Sequence, residues 1–418
     1  MPNSPTRTES MPSPAFDVES VRSAFPILSR KIHGKPLVYL DNAASAQKPL
    51  AVLDAIQSAY AHSYANVHRG VHLLSTESTL AFEKARGTVQ RFINAAQPEE
   101  IIFTKGGTEA INLVSSSLSS SFTEGDEIVI SDMEHHSNIV PWHFLRDRYG
   151  AVLKWAPLTP EDELDIEAFK ALLSPRTKLV ALTHMSNVLG TVTPLRDVVK
   201  LAHSVGAKVL IDGCQGLVHD PVDVQALDCD FYVGTGHKLY GPSGIGFLYG
   251  KARHLKEMQP YQGGGEMIGV VTRENVTYAD IPHKFEAGTP PIAQAIGLGA
   301  ALDFMNRMDR DSVLLHEKEI LAHATEELTR LNGVRLFGHA RNKGAIVTFN
   351  IDGVHPHDVS TLLDRMGIAI RAGNHCAQPL MEHLGVSATC RASFALYNTH
   401  EEVEALAGSI RNVMEFFL

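Results

Sequence analysis

Residues 207–249, AKVLIDGCQGLVHDPVDVQALDCDFYVGTGHKLYGPSGIGFLY, contain three apolar runs separated by short turns. The runs are 207–212, 229–233 and 245–249. Their length and their valine, isoleucine and aromatic content are typical of buried strands. The first run ends at Asp212, and the second is followed by Lys238 on a turn flanked by glycine. The stretch therefore predicts neighbouring strands of a buried sheet, with an acid after one and an amine after the next.

The same pattern extends toward the N-terminus. Four more strand-like runs lie at 100–104, 127–131, 151–156 and 178–184. Amphipathic helical patterns lie between the runs at 107–118, 137–149, 165–173 and 194–205. Apolar strands that alternate with helices are typical of a parallel sheet covered by helices on both faces. We therefore predict an α/β fold that binds its ligand at the carboxyl ends of the strands.

The pattern changes from about residue 292, where helices outnumber strands. Helical patterns lie at 292–308, 312–331, 356–366 and 400–416, and strand-like runs at 345–350 and 368–371. Residues 1–15 are rich in Pro, Ser and Thr and show no apolar core of a signal peptide. We predict a disordered tail (1–15), an N-terminal arm that joins the small domain (16–37), a large domain (38–291) and a small α+β C-terminal domain (292–418).

Composition limits the classes of function. The chain has 418 residues, 44% of them hydrophobic, and a formal net charge of −10. An acidic surface gives no electrostatic reason to bind nucleic acid or an anionic membrane, and no apolar run approaches the ~18 residues of a membrane helix. The four cysteines form no C-x-x-C pair, which indicates reduced thiols and a cytoplasmic protein.

Common catalytic motifs are absent from the sequence. It contains no G-x-x-x-x-G-K-[ST] loop, no G-x-G-x-x-G after a strand, no H-E-x-x-H and no G-x-S-x-G. This weakens the case for a nucleotide hydrolase, a Rossmann dehydrogenase, a zincin or an α/β-hydrolase. The 21 histidines include pairs such as His135 and His136, but no Cys or carboxylate cluster supports them, so we predict no metal site.

Asp212 and Lys238 together are what pyridoxal phosphate (PLP) requires. Its aldehyde forms a Schiff base with an amine, and a carboxylate keeps its ring nitrogen protonated. A phosphate site is predicted where the strand 100–104 leads through Gly106 and Gly107 to Thr108 at a helix start. Each feature also has a structural explanation: a surface lysine, an acid that ends a strand, or a glycine turn with a threonine cap. His135, after the strand 127–131, is either a structural histidine or a group that stacks on the cofactor and moves protons.

Longer strings carry a resemblance to a known family. They are LDNAASAQKP (40–49), VHRGVH (67–72), TEAINLV (108–114), MEHHSNIVPW (133–142), SNVLGT (186–191), DFYVGTGHKLYGPSGIG (230–246), YQGGGEMI (261–268), FEAGTP (285–290), RAGNHCAQPLM (371–381) and CRASFALYNT (390–399). With these strings the chain resembles the group II, Suf-type cysteine desulfurases of the class V aminotransferase group. They cover the chain from about residue 20 onward and imply a fold-type I PLP-dependent transferase with a mostly parallel seven-stranded sheet.

The resemblance implies roles for individual residues. Lys238 matches the Schiff-base lysine, Asp212 the partner of the ring nitrogen, and Cys376 the nucleophile that receives sulfur. Further cofactor contacts are implied for Gln215, His135, Thr108, Gly107, Thr235, His237 and, across a homodimer interface, Thr289. Substrate contacts are implied for Asn187, Arg371, Arg391 and His68.

The implied reaction converts L-cysteine to L-alanine and leaves a persulfide on Cys376. The segment around Cys376 is short, which implies transfer to a dedicated acceptor of the Suf system for iron–sulfur cluster assembly. The sequence departs from the family's usual residues at Asn374 (His), Gly107 (Thr or Ser) and Pro291 (Asn), with a mild change at Thr235 (Ser). A selenocysteine lyase, a plain aminotransferase and a scaffold that holds PLP without catalysis remain alternatives.

Overall fold

The computed structural model describes residues 16–417, so the tail predicted for 1–15 lies outside the described residues. The helices are α1 (Val18–Ser23), α2 (Leu50–His62), α3 (Leu73–Phe92), α4 (Gly107–Leu118), α5 (Val140–Tyr149), α6 (Ile166–Leu172), α7 (Leu195–Ser204), α8 (Gly216–His219), α9 (Val224–Leu227), α10 (Ala252–Glu257), α11 (Ile292–Asn306), α12 (Arg310–Thr329), α13 (Pro356–Arg365), α14 (Gln378–His383) and α15 (His400–Phe417). Short 3₁₀ turns span Pro26–Ser29, Pro98–Glu100, Ser119–Ser121, His136–Asn138 and His283–Phe285.

The strands are β1 (Lys31–Ile32), β2 (Lys35–Pro36), β3 (Val38–Tyr39), β4 (Ile101–Thr104), β5 (Glu127–Ser131), β6 (Val152–Ala156), β7 (Thr177–Thr183), β8 (Lys208–Asp212), β9 (Phe231–Thr235), β10 (Gly246–Gly250), β11 (Ile268–Val271), β12 (Val276–Tyr278), β13 (Val334–Phe337), β14 (Ile346–Ile351), β15 (Ile368–Ala369), β16 (Arg371–Gly373) and β17 (Thr389–Ser393).

A seven-stranded sheet forms the centre of the large domain. Its order is β4-β10-β9-β8-β7-β5-β6. Six strands run in one direction, and β10 is antiparallel to both of its neighbours, β4 and β9. Most of the strands are buried along their whole length, since separate apolar clusters cover the two faces of the sheet. The α/β fold predicted from the alternating runs is confirmed, and so is the mostly parallel seven-stranded sheet implied by the family resemblance.

The sheet brings several strand ends to one edge. Thr183 at the end of β7 pairs in register with Asp212 at the end of β8. Thr235, the last residue of β9, pairs with Gly246 at the start of β10, and Gly246 also pairs with Thr104 at the end of β4. Functional groups that follow these strands therefore converge although they are far apart in sequence.

One helix begins later than its sequence pattern suggests. The apolar pattern 137–149 predicts a helix from residue 137, but α5 begins at Val140. Residues His136–Asn138 instead form a 3₁₀ turn, and the helix carries Pro141 in its first turn. Proline has no N–H and favours the start of a helix, which accounts for the later beginning.

The C-terminal part of the chain forms a second sheet, of order β13-β14-β17-β16, with its own apolar core. Two packing contacts cross the predicted domain limits at 38 and 292. Strand β3 pairs in parallel with β15 of the C-terminal part. Helix α11 buries Leu298 and Leu302 in the same core as Phe82 and Val89 of α3. We therefore propose domain limits after Leu40 and after α11.

Among the described residues, none of the helices combines the length and the apolar character that are needed to span a bilayer.

A buried ion pair links helix α3 to the segment before α11. The Arg86 guanidinium donates to the Glu286 carboxylate over 2.6 and 2.9 Å, and the two side chains are only 2% and 6% exposed. Glu286 also accepts the Phe103 N–H at 2.7 Å. Replacing Glu286 with Ala should lower the free energy of unfolding by about 3 to 5 kcal/mol, because a buried guanidinium loses its main partner.

Urea unfolding followed by circular dichroism measures this loss. The exposed pair of Arg146 and Asp147 supplies the control, since Asp147→Ala should change the free energy of unfolding by less than about 1 kcal/mol. Equal effects of the two variants would contradict the proposed contribution of Glu286 to the free energy of unfolding.

Candidate active site

A cavity opens at the carboxyl edge of the large sheet, between the large sheet and the C-terminal domain. It brings together most of the site residues predicted from sequence: Lys238, Asp212, Gln215, His135, Thr108, Gly107, Thr235, His237, Asn187, Arg371, Arg391 and Cys376. The first and the last of these residues, Gly107 and Arg391, are 284 positions apart in the sequence. Their convergence is what a shared site requires.

Lys238 lies on the turn that follows β9, and the segment before α2 fixes that turn. The His237 carbonyl accepts from the Ala46 N–H at 3.1 Å and from the Lys48 ammonium at 3.0 Å. Burial lowers the pKa of the Lys238 amine below its usual value, against the raising effect of nearby Cys214 and Asp212. A lowered pKa increases the neutral, nucleophilic fraction of the amine, which suits attack on an aldehyde.

An anion cradle lies at the N-terminus of α4. Gly106 caps the helix with φ 155°, a left-handed backbone value that favours glycine, and Gly107 and Thr108 face the cavity. Free N–H groups in the first turn of a helix bind phosphate. A Cβ at position 107 would lie 2.4 Å from Sγ of Cys214, so the Cys214 thiol fills the space that a side chain at Gly107 would need.

The effect of the close approach between Gly107 and Cys214 on PLP binding can be tested. Gly107→Ser should weaken PLP binding about tenfold, because the added Cβ overpacks against the thiol and displaces the cradle. The double variant Gly107→Ser with Cys214→Ala should restore binding, because it removes the clashing sulfur. The dissociation constant from titration of the apoprotein with PLP measures both effects. Equal weakening in the single and double variants would show that the contact is not the cause.

His135 faces the cavity in a defined tautomer. Its Nδ1 accepts the Ser137 N–H at 3.1 Å and lies 2.5 Å from the Ser137 hydroxyl. Nδ1 is therefore an acceptor, and the ring proton resides on Nε2. Burial, reinforced by the Lys238 charge, lowers the pKa of His135 to about 4, so the ring is neutral at neutral pH. A neutral imidazole does not repel a ligand ring whose nitrogen is protonated, as an imidazolium would.

The segment that carries Cys376 is tied to both domains. The His136 N–H donates to the Cys376 carbonyl at 2.7 Å, and the Asn187 amide donates to the His375 carbonyl at 2.8 Å. His375 and Cys376 have φ values of 52° and 57°, which are uncommon for residues other than glycine. Strained backbone of this kind persists where surrounding contacts enforce it, and it is frequent at functional sites.

Asn374 gives this turn a contact of its own. Its Oδ1 accepts the Cys376 N–H at 3.0 Å, so the residue caps the turn before the thiol. The family that the sequence resembles usually has a histidine at this position. Asn374 supplies a loop contact by this hydrogen bond.

Two arginines of the C-terminal sheet line the cavity. Arg371 of β16 pairs in register with Arg391 of β17, and Asp41 lies 3.8 Å and 3.3 Å from their guanidinium groups. Burial lowers the pKa of Arg391, although Asp41 opposes that shift. Arg391 Nη1 donates to the Asn187 carbonyl at 2.7 Å, while its buried Nε has no partner. The free donor and the net positive charge suit a carboxylate ligand.

Two predicted site residues lie elsewhere. Thr289 is exposed and does not line the cavity of its own chain. His68 also lies outside the cavity of its own chain, and its Nε2 bonds to Glu83 at 2.9 Å. His68, Glu83 and His283 have ligand atoms within 4.8 Å of one another, yet both Glu83 oxygens already accept from Arg86. This arrangement is explained by the ion pair with Arg86, and the prediction of no metal site stays a prediction.

Several cavity residues received no role in the sequence analysis. They are Ala43, Ala44, Ser137, Thr183, Met185 and Cys214. Thr183 and Met185 could have been found from their position at the end of the run 178–184. Cys214 lies between Asp212 and Gln215 in sequence, a placement that signals the cavity more strongly than its residue type does.

Comparison with known proteins agrees with this geometry. A sequence model of the family described as "Aminotransferase class-V" matches residues 38–406. The chain belongs to the class-V aminotransferase family. A protein of Dickeya dadantii named cysteine desulfurase is 50% identical over 400 residues, which cover 95% of this chain and 97% of that protein. A probable cysteine desulfurase of Halalkalibacterium halodurans is 49% identical over 403 residues, with 96% and 99% covered.

Solved structures show the same fold. The cysteine desulfurase CsdA (S-sulfonic acid) of Escherichia coli matches with a TM-score of 0.90 and 40% identity, and the match covers 96% of this chain and all of that chain. The apo cysteine desulfurase of Thermococcus onnurineus NA1 matches with a TM-score of 0.91 and 37% identity over 97% of this chain and 99% of that chain. The fold-type I assignment made from the motifs is confirmed.

The cavity fits PLP on its own chemistry. It offers an amine at Lys238, a carboxylate at Asp212, and the helix N-terminus at Gly107 for a phosphate. Oε1 of Gln215 is buried without a partner, which shows that this amide is not satisfied by protein groups alone. The family match supports the same cofactor.

Proposed function

We propose that this protein is a PLP-dependent cysteine desulfurase that converts L-cysteine to L-alanine and leaves a persulfide on Cys376. The observation that supports it best is the placement of Cys376 and Lys238 in one cavity with Arg391. A thiol, an amine and a carboxylate-binding arginine match the sulfur, the α carbon and the carboxylate of a cysteine substrate. The relatives at 49% and 50% identity are named probable cysteine desulfurase and cysteine desulfurase.

Several side chains of the cavity have separate proposed roles in this reaction. Arg391 and Asn187 would bind the substrate carboxylate, Lys238 would remove the α proton, and His135 would pack against the cofactor. When bound, PLP accepts into its ring the electron pair freed at the substrate α carbon. Asp212 would hold the proton on the ring nitrogen, and the N–H groups at Gly107 and Thr108 would hold the phosphate.

The sulfur step balances without a further reagent. The thiolate of Cys376 attacks the substrate sulfur, an S–S bond forms and the Cβ–S bond breaks. The bonding pair stays with the substrate carbon, which takes up a proton and becomes the methyl group of alanine. The sulfur atom is oxidised and the carbon is reduced, so L-cysteine and the thiol yield L-alanine and the persulfide.

A paired assay tests this function. The full chain, loaded with PLP, receives L-cysteine and a thiol reductant, and alanine and sulfide are measured together. We expect equal amounts of both products. A keto acid instead of alanine would indicate an aminotransferase, and no turnover with cofactor bound would indicate a scaffold. A much faster reaction with L-selenocysteine would favour the selenocysteine lyase alternative.

The active form is proposed to be a homodimer. Thr289 is exposed and does not line its own cavity, as expected for a residue that completes the site of a second copy. Large apolar side chains are exposed on α2, α3 and the segment before α3, and a second copy of the chain would bury them: Leu50, Leu53, Tyr60, Val71, Leu73, Leu74 and Leu80. A mixture of Thr289→Ala and Lys238→Ala chains should regain activity, since one of the two mixed sites has both residues.

The proposed fate of the sulfur is an acceptor protein of the Suf system, for iron–sulfur cluster assembly. Cys376 is exposed, and its short segment is held by His136 and Asn187, so an acceptor must approach the thiol. The assignment to the Suf-type group and to the cytoplasm belongs to the same proposal. All four cysteines are free, as expected in a reducing compartment.

A further inference from the structure

A buried chain of polar groups runs from the cavity to the C-terminal part of the protein. Gln215 lines the cavity, and its side-chain amide nitrogen lies 3.5 Å from Nε2 of His219. Nδ1 of His219 lies 2.7 Å from the Glu317 carboxylate of α12. The side chains of His219 and Glu317 are 5% and 4% exposed. None of the groups proposed for catalysis belongs to α12, so the role of this chain of contacts is open.

The protonation of His219 follows from its surroundings. Its charged and titratable neighbours are Arg310, Glu317 and Lys318 of α12, Asp220, His184 and Lys343. Burial disfavours the imidazolium, but Glu317 and Asp220 outweigh it and raise the pKa of His219 above its usual value. With Nδ1 donating to Glu317, an imidazolium must also carry a proton on Nε2.

This protonation decides which way the Gln215 amide faces. An amide nitrogen next to a protonated Nε2 would set two donors against each other at 3.5 Å and leave Oε1 buried without a partner. Exchanging the two amide atoms gives Oε1 the Nε2–H to accept and turns the NH₂ group toward the cavity. Amide orientation is assigned by its hydrogen-bond partners, and only the exchanged orientation satisfies both groups.

We propose that Glu317 and His219 are positioning residues that hold the Gln215 amide with its NH₂ group toward the cofactor. Gln215 is then a fixed donor to the anionic phenolic oxygen of PLP, and the C-terminal domain takes part in tuning the cofactor through α12. This inference rests on the proposed function, because it assumes PLP in the cavity.

The protonation of His219 can be measured without any turnover. The full-length protein is loaded with PLP, labelled with ¹⁵N-histidine and studied by NMR. We expect both ring nitrogens of His219 to be protonated at pH 7.5, and one of them to lose its proton in Glu317→Gln. Glu319→Gln is the matched control, since Glu319 is an exposed residue of the same helix. An unprotonated Nε2 in the unmodified protein would overturn the proposal, because the amide would then turn its NH₂ group to His219.

The effect on the cofactor is read from its visible absorption during a pH titration. His219 and Glu317 are both replaced by Leu, which avoids leaving one buried charge unpaired. Loss of the fixed donor destabilises the anionic oxygen, so the cofactor binds its proton more tightly. The titration midpoint should rise by about half a pH unit or more.

A double-mutant cycle separates this effect from a general change in the field of the site. In a Gln215→Leu background, the same two substitutions should cause no further shift, because the amide through which they act is absent. An equal shift in both backgrounds would overturn the proposed route. A protein without any visible band would contradict PLP binding and the proposed function, while the NMR result for His219 would still stand by itself.

Discussion

Replacing Lys238 with Ala is expected to reduce alanine formation from L-cysteine by at least about a thousandfold. The amine has two proposed tasks, the covalent link to the cofactor and removal of the substrate α proton, and no other lysine lines the cavity. Lys48 lies beside the same turn, but its ammonium already bonds to the His237 carbonyl. Steady-state alanine production by the PLP-loaded variant measures the loss.

The same variant should lose the covalent link while keeping its fold. Borohydride reduction of the unmodified protein should attach a pyridoxyl group to Lys238, and peptide mass spectrometry should find none at that position in the variant. Lys200→Ala, on the exposed side of α7, is the matched control and should keep full activity. Labelling of a different lysine in the unmodified protein would refute the assignment.

The second large effect concerns Cys376. Cys376→Ala should abolish persulfide formation and lower alanine formation from L-cysteine by at least about a hundredfold, because no other thiol in the cavity can ionise readily. Cys214 is the other cavity thiol, and burial raises its pKa well above the usual value, with Asp212 acting in the same direction. A thiol that stays protonated is a poor nucleophile.

Mass spectrometry of the protein after a single exposure to L-cysteine should find the additional sulfur on Cys376 alone. Cys229→Ala is the control, since that thiol is buried and burial raises its pKa to about 12. We expect the control to retain activity within about twofold. Equal persistence of cysteine and selenocysteine cleavage in Cys376→Ala would remove this thiol from the mechanism.

Local sequence was sufficient for much of the large domain. The strand β5 and the helix α4 occupy the ranges predicted from their apolar patterns. The strand is a continuous buried run, and the helix is long enough to show a helical period. The two-stranded pairing of β11 with β12 was missed, because its exposed residues show no buried face. Helices α2 and α3 were not predicted either; each contains polar positions within a weak apolar pattern.

The candidate site shows a similar division. Asp212 and Lys238 could be related from sequence because both follow neighbouring strands, and the roles of Cys376 and Arg391 came from the family resemblance. The contact of Glu317 with His219 could not be predicted, since 98 positions separate them and no local signal links them. Only the packing of distant parts of the chain brings such residues into contact.

The two arginine-bearing strands have a consequence for motion within the protein. Arg391 belongs to the four-stranded sheet, and Cys376 lies three residues after its strand β16. Asp212 ends a strand of the seven-stranded sheet, and Lys238 lies three residues after another. An amino acid bound by its carboxylate to Arg391, with its α proton next to Lys238, would contact groups from both sheets at once. We therefore expect bound substrate to reduce the relative motion of the two sheets compared with the protein without substrate.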